Sequence, residues 1–230
     1  MTSSTARRHT VLITGASRGL GAELARIYAG DGWRVIACTR GAALRSDGMD
    51  WLQLDVADPA SIEALGHDLQ GVAIDVLINN AAVRGDTGGL ATLEVDDFLE
   101  VMRINALAPL LVTRALLPNL RAGEHRVVAN ISSRAGSLAE GTLDDDDGDY
   151  AYRCSKAALN MATVKLAQDL KGDGISVVSL HPGWVQTDMG GREAVVSVAT
   201  SAAGLKAIID STGLADSGSF RAYDGRWVSW

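Results

Sequence analysis

The strongest constraint on the fold is a repeated alternation of short apolar, β-branched runs with longer stretches of helical pattern. Seven runs read as strands: TVLITGA (10–16), WRVIAC (33–38), DWLQLDV (50–56), IDVLINN (74–80), RVVANISS (126–133), ISVVSLHPG (175–183) and a weaker FRAYDG (220–225). Several are almost continuously apolar, which suits strands covered by helices on both faces. Strands separated by helical stretches are the mark of βαβ units, whose crossovers make the sheet parallel. The clearest helical patterns span roughly 95–117 and 151–171. Pro109 should kink the first or end a turn there, because it lacks an N–H and its ring crowds an earlier carbonyl. The second is rich in Ala, Leu and Lys and runs into KGDG, a stop signal. No repeat, low-complexity tail or linker interrupts the pattern. The expectation is one α/β domain over 1–230, a doubly wound parallel sheet of about seven strands with helices on both faces.

The stretch VLITGASRGLGAELARIYAG joins the first strand to the first helix through Gly15, Gly19 and Gly21. A helix N-terminus offers unpaired N–H groups and the positive end of its dipole, so a pyrophosphate can sit there. Glycines let the backbone come that close. The spacing is G-x-x-x-G-x-G, not the G-x-G-x-x-G of the general dinucleotide fingerprint. We read a nucleotide-binding turn; the alternative is three glycines demanded by packing alone. The second strand ends Cys38, Thr39, Arg40, without the carboxylate that holds the ribose hydroxyls in NAD-preferring folds. Arg18 adds a second guanidinium inside the turn. Two arginines near the ribose suit a 2′-phosphate, so NADP(H) is favoured over NAD(H). The plainer alternative leaves one or both pointing into solvent.

Composition excludes several classes. The net charge of −7 offers no basic patch for nucleic acid or anionic membrane. No apolar run is long enough to span a bilayer, and the opening MTSSTARRHT has no apolar signal stretch. Cys38 and Cys154 are the only cysteines, so no disulfide framework is implied and a reduced, cytoplasmic setting is the default. His9, His67, His125 and His181 lack metal-ligand spacing, and no metal site is expected.

Tyr152 and Lys156 lie four residues apart and share one helical face, which Tyr150 does not. Just before them stand Asp144, Asp145, Asp146, Asp147 and Asp149. This cluster lacks the bidentate glutamate of a calcium loop. Consecutive carboxylates repel and stay solvated, so the segment reads as a mobile acidic loop near the positive end of the next helix.

Several short segments together resemble the short-chain dehydrogenase/reductase family in order: TGASRGLG, Asp55-Val56, NNAA (79–82), Asn105, NISS (130–133), YRCSK (152–156) and PGWVQT (182–187). The resemblance covers nearly the whole chain. More narrowly, YAYRCSKAALNMA, LHPGWVQTDMGG and the late YDG look like the C-factor-like and Sniffer-like carbonyl reductases within it. It implies a Rossmann fold and a set of site residues. In the glycine turn, Gly15, Ser17, Arg18, Gly19, Leu20 and Gly21 would cradle the cofactor. Asp55 would meet the adenine amino group, Val56 would pack beside the ring, and Asn79 and Ala81 would run along the adenosine ribose. Ala82 stands where the family usually carries glycine. Pro182, the Val185 backbone and the Thr187 hydroxyl would hold the carboxamide.

For catalysis the resemblance names Tyr152 as acid–base residue, Ser133 as the group on the substrate oxygen, and Asn105 as support for a proton relay. Ser132, the neighbour of Ser133, would face the other side of the sheet and be structural. A free phenol titrates near ~10, too high for work at neutral pH. A lysine ammonium one turn away favours the phenolate, so Lys156 should lower the Tyr152 pKa while holding the nicotinamide ribose. The implied activity is NADPH-dependent reduction of a ketone or aldehyde to an alcohol. Trp184, Met189 and the loop 84–93 would line a pocket for an apolar or aromatic small molecule. A C-factor-like signalling protein that keeps the nucleotide site, and an NAD-linked alcohol dehydrogenase, stay open as alternatives. A homodimer or homotetramer is expected, as in many relatives.

Overall fold

The computed structural model describes residues 7–41, 47–141 and 148–230. All seven apolar runs form strands: β1 (Thr10–Ile13), β2 (Arg34–Thr39), β3 (Asp50–Gln53), β4 (Val76–Asn79), β5 (Val127–Ile131), β6 (Ser176–His181) and β7 (Phe220–Ala222). They build one parallel sheet in the order β3-β2-β1-β4-β5-β6-β7. Helix α1 (Gly19–Gly30) follows β1, and α2 (Pro59–Asp68) follows β3. Between β4 and β5 run α3 (Val95–Met102), α4 (Ala108–Ala115) and α5 (Leu117–Ala122). Helices α6 (Tyr150–Asp169) and α7 (Val198–Ser211) precede β6 and β7. No described helix is long and apolar enough to cross a membrane.

Successive strand residues point to opposite faces, and both faces are buried. Val11 and Ile13 of β1 pack with Leu24 and Tyr28 of α1 and Leu205 and Ile209 of α7. Leu12, between them, packs on the other face with Ile62 and Leu65 of α2, Val112 of α4 and Leu120 of α5. Each fully buried aliphatic side chain of this kind contributes about 1.5–3 kcal/mol.

Six of the runs extend beyond the strands they form at the carboxyl end: the apolar pattern of 10–16 outlasts a strand that stops at Ile13, and that of 126–133 one that stops at Ile131. The extra residues leave the ladder to become the loops of the cleft.

The helical stretch 95–117 is broken, but not by a kink at Pro109. Residues Arg103–Leu107 widen into a π-helical turn in which the Ala108 N–H reaches back to the Arg103 carbonyl. Pro109 has no N–H to give the Asn105 carbonyl four residues earlier. The helix adjusts one turn ahead of the proline, which then sits in the first turn of α4, where it is tolerated.

At the amino ends of β1, β4 and β5 the chain is knitted by one fully buried carboxylate. Asp75 accepts hydrogen bonds from the N–H of Thr10 (2.7 Å), the N–H of Glu124 (2.7 Å) and the Arg7 guanidinium (2.5 Å). Burial alone would raise its pKa, but the backbone N–H donors and Arg7 outweigh it and hold the carboxyl below the usual range.

Candidate active site

The strand order reverses between β1 and β4, which opens a crevice beyond their carboxyl ends. The glycine turn closes one side of it. Gly15 has φ 66°, and a Cβ there would lie 2.9 Å from the Ala81 Cα. A Cβ on Gly21 would lie 2.4 Å from the Gly15 carbonyl and 2.5 Å from the Asn80 amide, so only glycine lets α1 seat against the turn. Asn80, which sequence reasoning passed over, donates its amide to the carbonyls of Thr14 (3.0 Å) and Gly15 (3.1 Å). The Thr14 hydroxyl accepts from the N–H of Asn80 and of Ala81, both at 3.0 Å. Arg18 stands at the N-cap of α1 without a side-chain cap bond, and no acidic residue occupies the first turn. Open N–H groups behind a glycine cradle fit a pyrophosphate. Leu20 is buried beneath the turn and Ser17 is half-buried.

Thr14, Val56, Asn79, Ala81, Ile104 and Pro109 are among the residues lining the crevice floor. Asn79 contributes less than its position suggests: its amide nitrogen is turned into the sheet, donating to the Asn130 side chain at 2.9 Å. The Asp55 carboxylate accepts from the Ala57 N–H at 2.9 Å and so shapes its own turn. Arg40 is exposed just past β2. Arg18 is exposed too, paired with Asp188 at 2.5 Å across the mouth of the crevice. Ala82 keeps an ordinary negative φ, so the alanine imposes no strain there.

Ser133, Tyr152 and Lys156 come together at the carboxyl end of β5. Ser133 leaves the strand in extended conformation; its hydroxyl accepts from the Ala135 N–H at 3.1 Å and stands close enough to the Tyr152 phenol to pull its pKa down. Ser132 points the other way, donating to the Asn160 side chain at 2.7 Å. The Lys156 ammonium lies 5.5 Å from the centre of the Tyr152 ring and donates to the Ile131 carbonyl at 2.9 Å. Asn105, fully buried in the π-helical turn, clasps the Val83 backbone with two bonds (2.9 and 2.7 Å) and donates to Ser155 at 3.0 Å. Ser155 in turn donates to the Tyr152 carbonyl at 2.7 Å. Asn105 thus ties the loop after β4 to the helix that carries the tyrosine.

The direction of the Tyr152 pKa corrects the expectation drawn from its lysine neighbour. Burial pushes the phenol up, the neighbouring Ser133 hydroxyl pulls it down, Asp149 pushes it up and Arg84 pulls it down; the balance is a raised value. Lys156 is not among these influences. Its ammonium is aimed at Ile131, and burial pushes it down to about 8.

The turn after β6 is closely tied. Thr187 donates its N–H to the Val185 carbonyl (2.8 Å) and its hydroxyl accepts from the Gly190 N–H (3.2 Å). The Pro182 carbonyl accepts from Ser201 at 2.6 Å. Trp184 and Met189 are exposed at the rim, Trp184 donating its indole N–H to the Gly190 carbonyl. The His181 Nδ1 accepts the Arg134 N–H at 3.2 Å, one residue past Ser133. Asp144 to Asp147 lie outside the described residues. Asp149 is not solvated: it is buried and paired with Arg84. Among the described residues no three His, Cys, Asp or Glu side chains are grouped to hold a metal ion.

The profile of the short chain dehydrogenase family matches residues 9–195. The chain belongs to this family. It is 49% identical over 157 residues to C-signal of Myxococcus xanthus, covering 68% of this chain and 93% of that protein. It is 35% identical over 230 residues to 1-hydroxy-2-glutathionyl-2-methyl-3-butene dehydrogenase of Rhodococcus sp., covering 96% and 99%. The carbonyl reductase Sniffer of D. melanogaster superposes with TM-score 0.89 at 31% identity, over 97% of this chain and 100% of that one. The NADPH-bound carbonyl reductase from chicken fatty liver does so with TM-score 0.87 at 33% identity, again over 97% and 100%.

As a short-chain dehydrogenase/reductase the protein is an NAD(P)(H)-dependent oxidoreductase. Among the side chains that brace the short-chain dehydrogenase site, Asn80, Arg84 and His181 were missed, as were Thr14 and Ser155. Each acts through the backbone or through a partner distant in sequence. Only the NN pair at 79–80 and the His-Pro step at 181–182 carried a local signal.

Proposed function

We propose that this short-chain dehydrogenase/reductase is an NADPH-dependent carbonyl reductase, with Tyr152 as acid, Ser133 on the substrate oxygen and Lys156 and Asn105 in support. The observation that carries the reading is the convergence of a Ser133 hydroxyl and a Tyr152 phenol beside a buried ammonium. A carbonyl oxygen placed between the two hydroxyls accepts from both, which polarises the bond and orients the carbon. NADPH, when bound, supplies the hydride that the carbonyl carbon gains. The phenol of Tyr152 gives its proton to the oxygen, so the double bond becomes an alcohol and the phenolate is left facing Lys156. The raised Tyr152 pKa keeps that proton in place until it is needed.

The 2′-phosphate would be held by Arg40 and by Arg18, which would exchange Asp188 for it. Asp55, Val56, Asn79 and Ala81 would take the adenosine, Ser17, Gly19 and Leu20 the pyrophosphate, and Pro182, Val185 and Thr187 the carboxamide. Solved relatives with NADPH or NADP bound support the phosphate-bearing cofactor. The reading further takes the chain as one domain, cytoplasmic with its two thiols free, and assembled as a homodimer or homotetramer.

The test is a panel of ketones and aldehydes followed by loss of NADPH absorbance. Turnover in wild type, lost in Tyr152→Phe with NADPH binding intact, is the expected result. Arg40→Ala should weaken NADPH binding about tenfold and leave NADH nearly unchanged, the loss of one charge-assisted contact. Likeness to C-signal favours a second reading in which the nucleotide site serves a signal. That reading gains if Tyr152→Phe keeps its biological output.

A further inference from the structure

Helix α6 begins in an unusual way. Its N-cap, Asp149, has φ 53°, one of two non-glycine residues in the left-handed region among those described. Its carboxylate makes no capping bond to the helix. Both oxygens are instead taken by Arg84, from the loop after β4, at 3.1 Å and 2.6 Å. The carboxylate is nearly covered, with 13% of its side chain exposed against 43% for the arginine. Gly148, at φ 90°, presses against the same loop: a Cβ there would come within 2.5 Å of the Thr87 carbonyl. Asp149 precedes Tyr152 by three residues, so the ion pair sits one turn below the phenol on its face of the helix.

We propose that Arg84 and Asp149 form a positioning pair for Tyr152, fixing the start of its helix and balancing the charge its phenol feels. The proposal rests on the reading of Tyr152 as the acid. Neither residue reaches the reacting atoms; both act through the tyrosine. The groups around that phenol are Lys156 and Asp149 on its own helix, Ser133 after β5 and Arg84 after β4. Asp149 pushes the phenol's pKa up and Arg84 pulls it down. A matched pair therefore has a consequence that a purely structural latch lacks: removing its two charges separately moves the phenol in opposite directions.

The substitutions suit the backbone. Asp149→Asn keeps a residue that tolerates left-handed φ and removes only the charge. Arg84→Gln removes the opposite charge, and Arg84→Lys restores it. Tyr152 can be followed directly by NMR of tyrosine labelled at Cζ, its signal identified by its loss in Tyr152→Phe. Arg84→Gln should raise the titration midpoint and Asp149→Asn should lower it, each by about half a pH unit or more. The double variant and Arg84→Lys should both return close to wild type. In 1 M salt the single shifts should shrink, because exposed charge is screened there within about 3 Å. Shifts of the same sign in both single variants, or no shift in either while thermal melts show intact folding, overturn the proposal. The titration does not depend on turnover. Inactivity of the wild type on every carbonyl would count against the reductase reading and leave this result standing.

Discussion

The two ends of the same three strands, β1, β4 and β5, treat polar groups in opposite ways. At the amino ends Asp75 is fully buried and saturated, by the N–H groups of Thr10 and Glu124 and by Arg7. At the carboxyl end of β5 the chain runs out into Ser133, beside a half-buried phenol and an ammonium that burial has pushed down to about 8. One end spends its hydrogen bonds on closing the sheet, and the other leaves groups turned toward a crevice. Polar groups that are satisfied within the protein stabilise it, while groups whose pKa is displaced by burial are held ready for another molecule.

If the ends differ in this way, variants at each should separate activity from stability. Tyr152→Phe should lower kcat/KM about a thousandfold, within the range for loss of a general acid. Its melting temperature should stay at or above the wild-type value, since the phenol gains little from its surroundings. A fall in melting temperature to match the lost activity would show that the phenol serves the fold.

Asp75→Ala should do the reverse. It strips a buried charge from Arg7 and orphans backbone donors at the start of two strands, at a cost of about 3 kcal/mol. Activity per folded molecule should not change. Because the folded carboxyl lies below its unfolded value of about 3.9, its contribution is complete above that pH. It is lost as pH falls from there through the folded value. Denaturant midpoints from pH 5 down to pH 2 should therefore fall more steeply in wild type than in Asp75→Asn.

This asymmetry also decides what could be read from the chain itself. The central strands are the most legible, because both faces of the sheet are buried there and their runs are almost continuously apolar. The same rule overruns at the carboxyl ends, where Gly15 or Ser133 continue an apolar stretch but leave the ladder. Pro109 announces a disturbance in its helix; that the disturbance takes the form of a π-helical turn at Asn105 follows from a missing N–H, which the sequence implies without specifying where the slack is absorbed. Ser133, Tyr152 and Lys156 are legible because their segments resemble a known order of motifs. The Tyr152 pKa is not legible, since spacing on a helix says where Lys156 stands but not that its ammonium turns to Ile131. Arg84 meets Asp149 across 65 residues, and no local pattern encodes that contact.

His181 offers the smallest and sharpest test, because it stands between the two kinds of region. It ends β6, its carbonyl accepts the Tyr223 N–H at 2.9 Å, and its Nδ1 accepts the Arg134 N–H beside Ser133. Burial first, then the charges of Arg134 and Arg226, push the imidazole down to about 4, which keeps Nδ1 free to accept. In His181→Leu the Arg134 N–H loses its partner and the serine loop loosens. A tenfold fall in kcat, about 1.4 kcal/mol, is expected, with the KM for coenzyme little changed. Asparagine carries an acceptor oxygen near the Nδ1 position, so His181→Asn should recover most of the rate. The histidine's stabilising effect is full above its unfolded value of about 6.5 and is lost as pH falls toward about 4. His181→Asn should not show that loss. A leucine variant with unchanged kcat would place His181 with Asp75, among the residues that hold the fold and leave the chemistry alone.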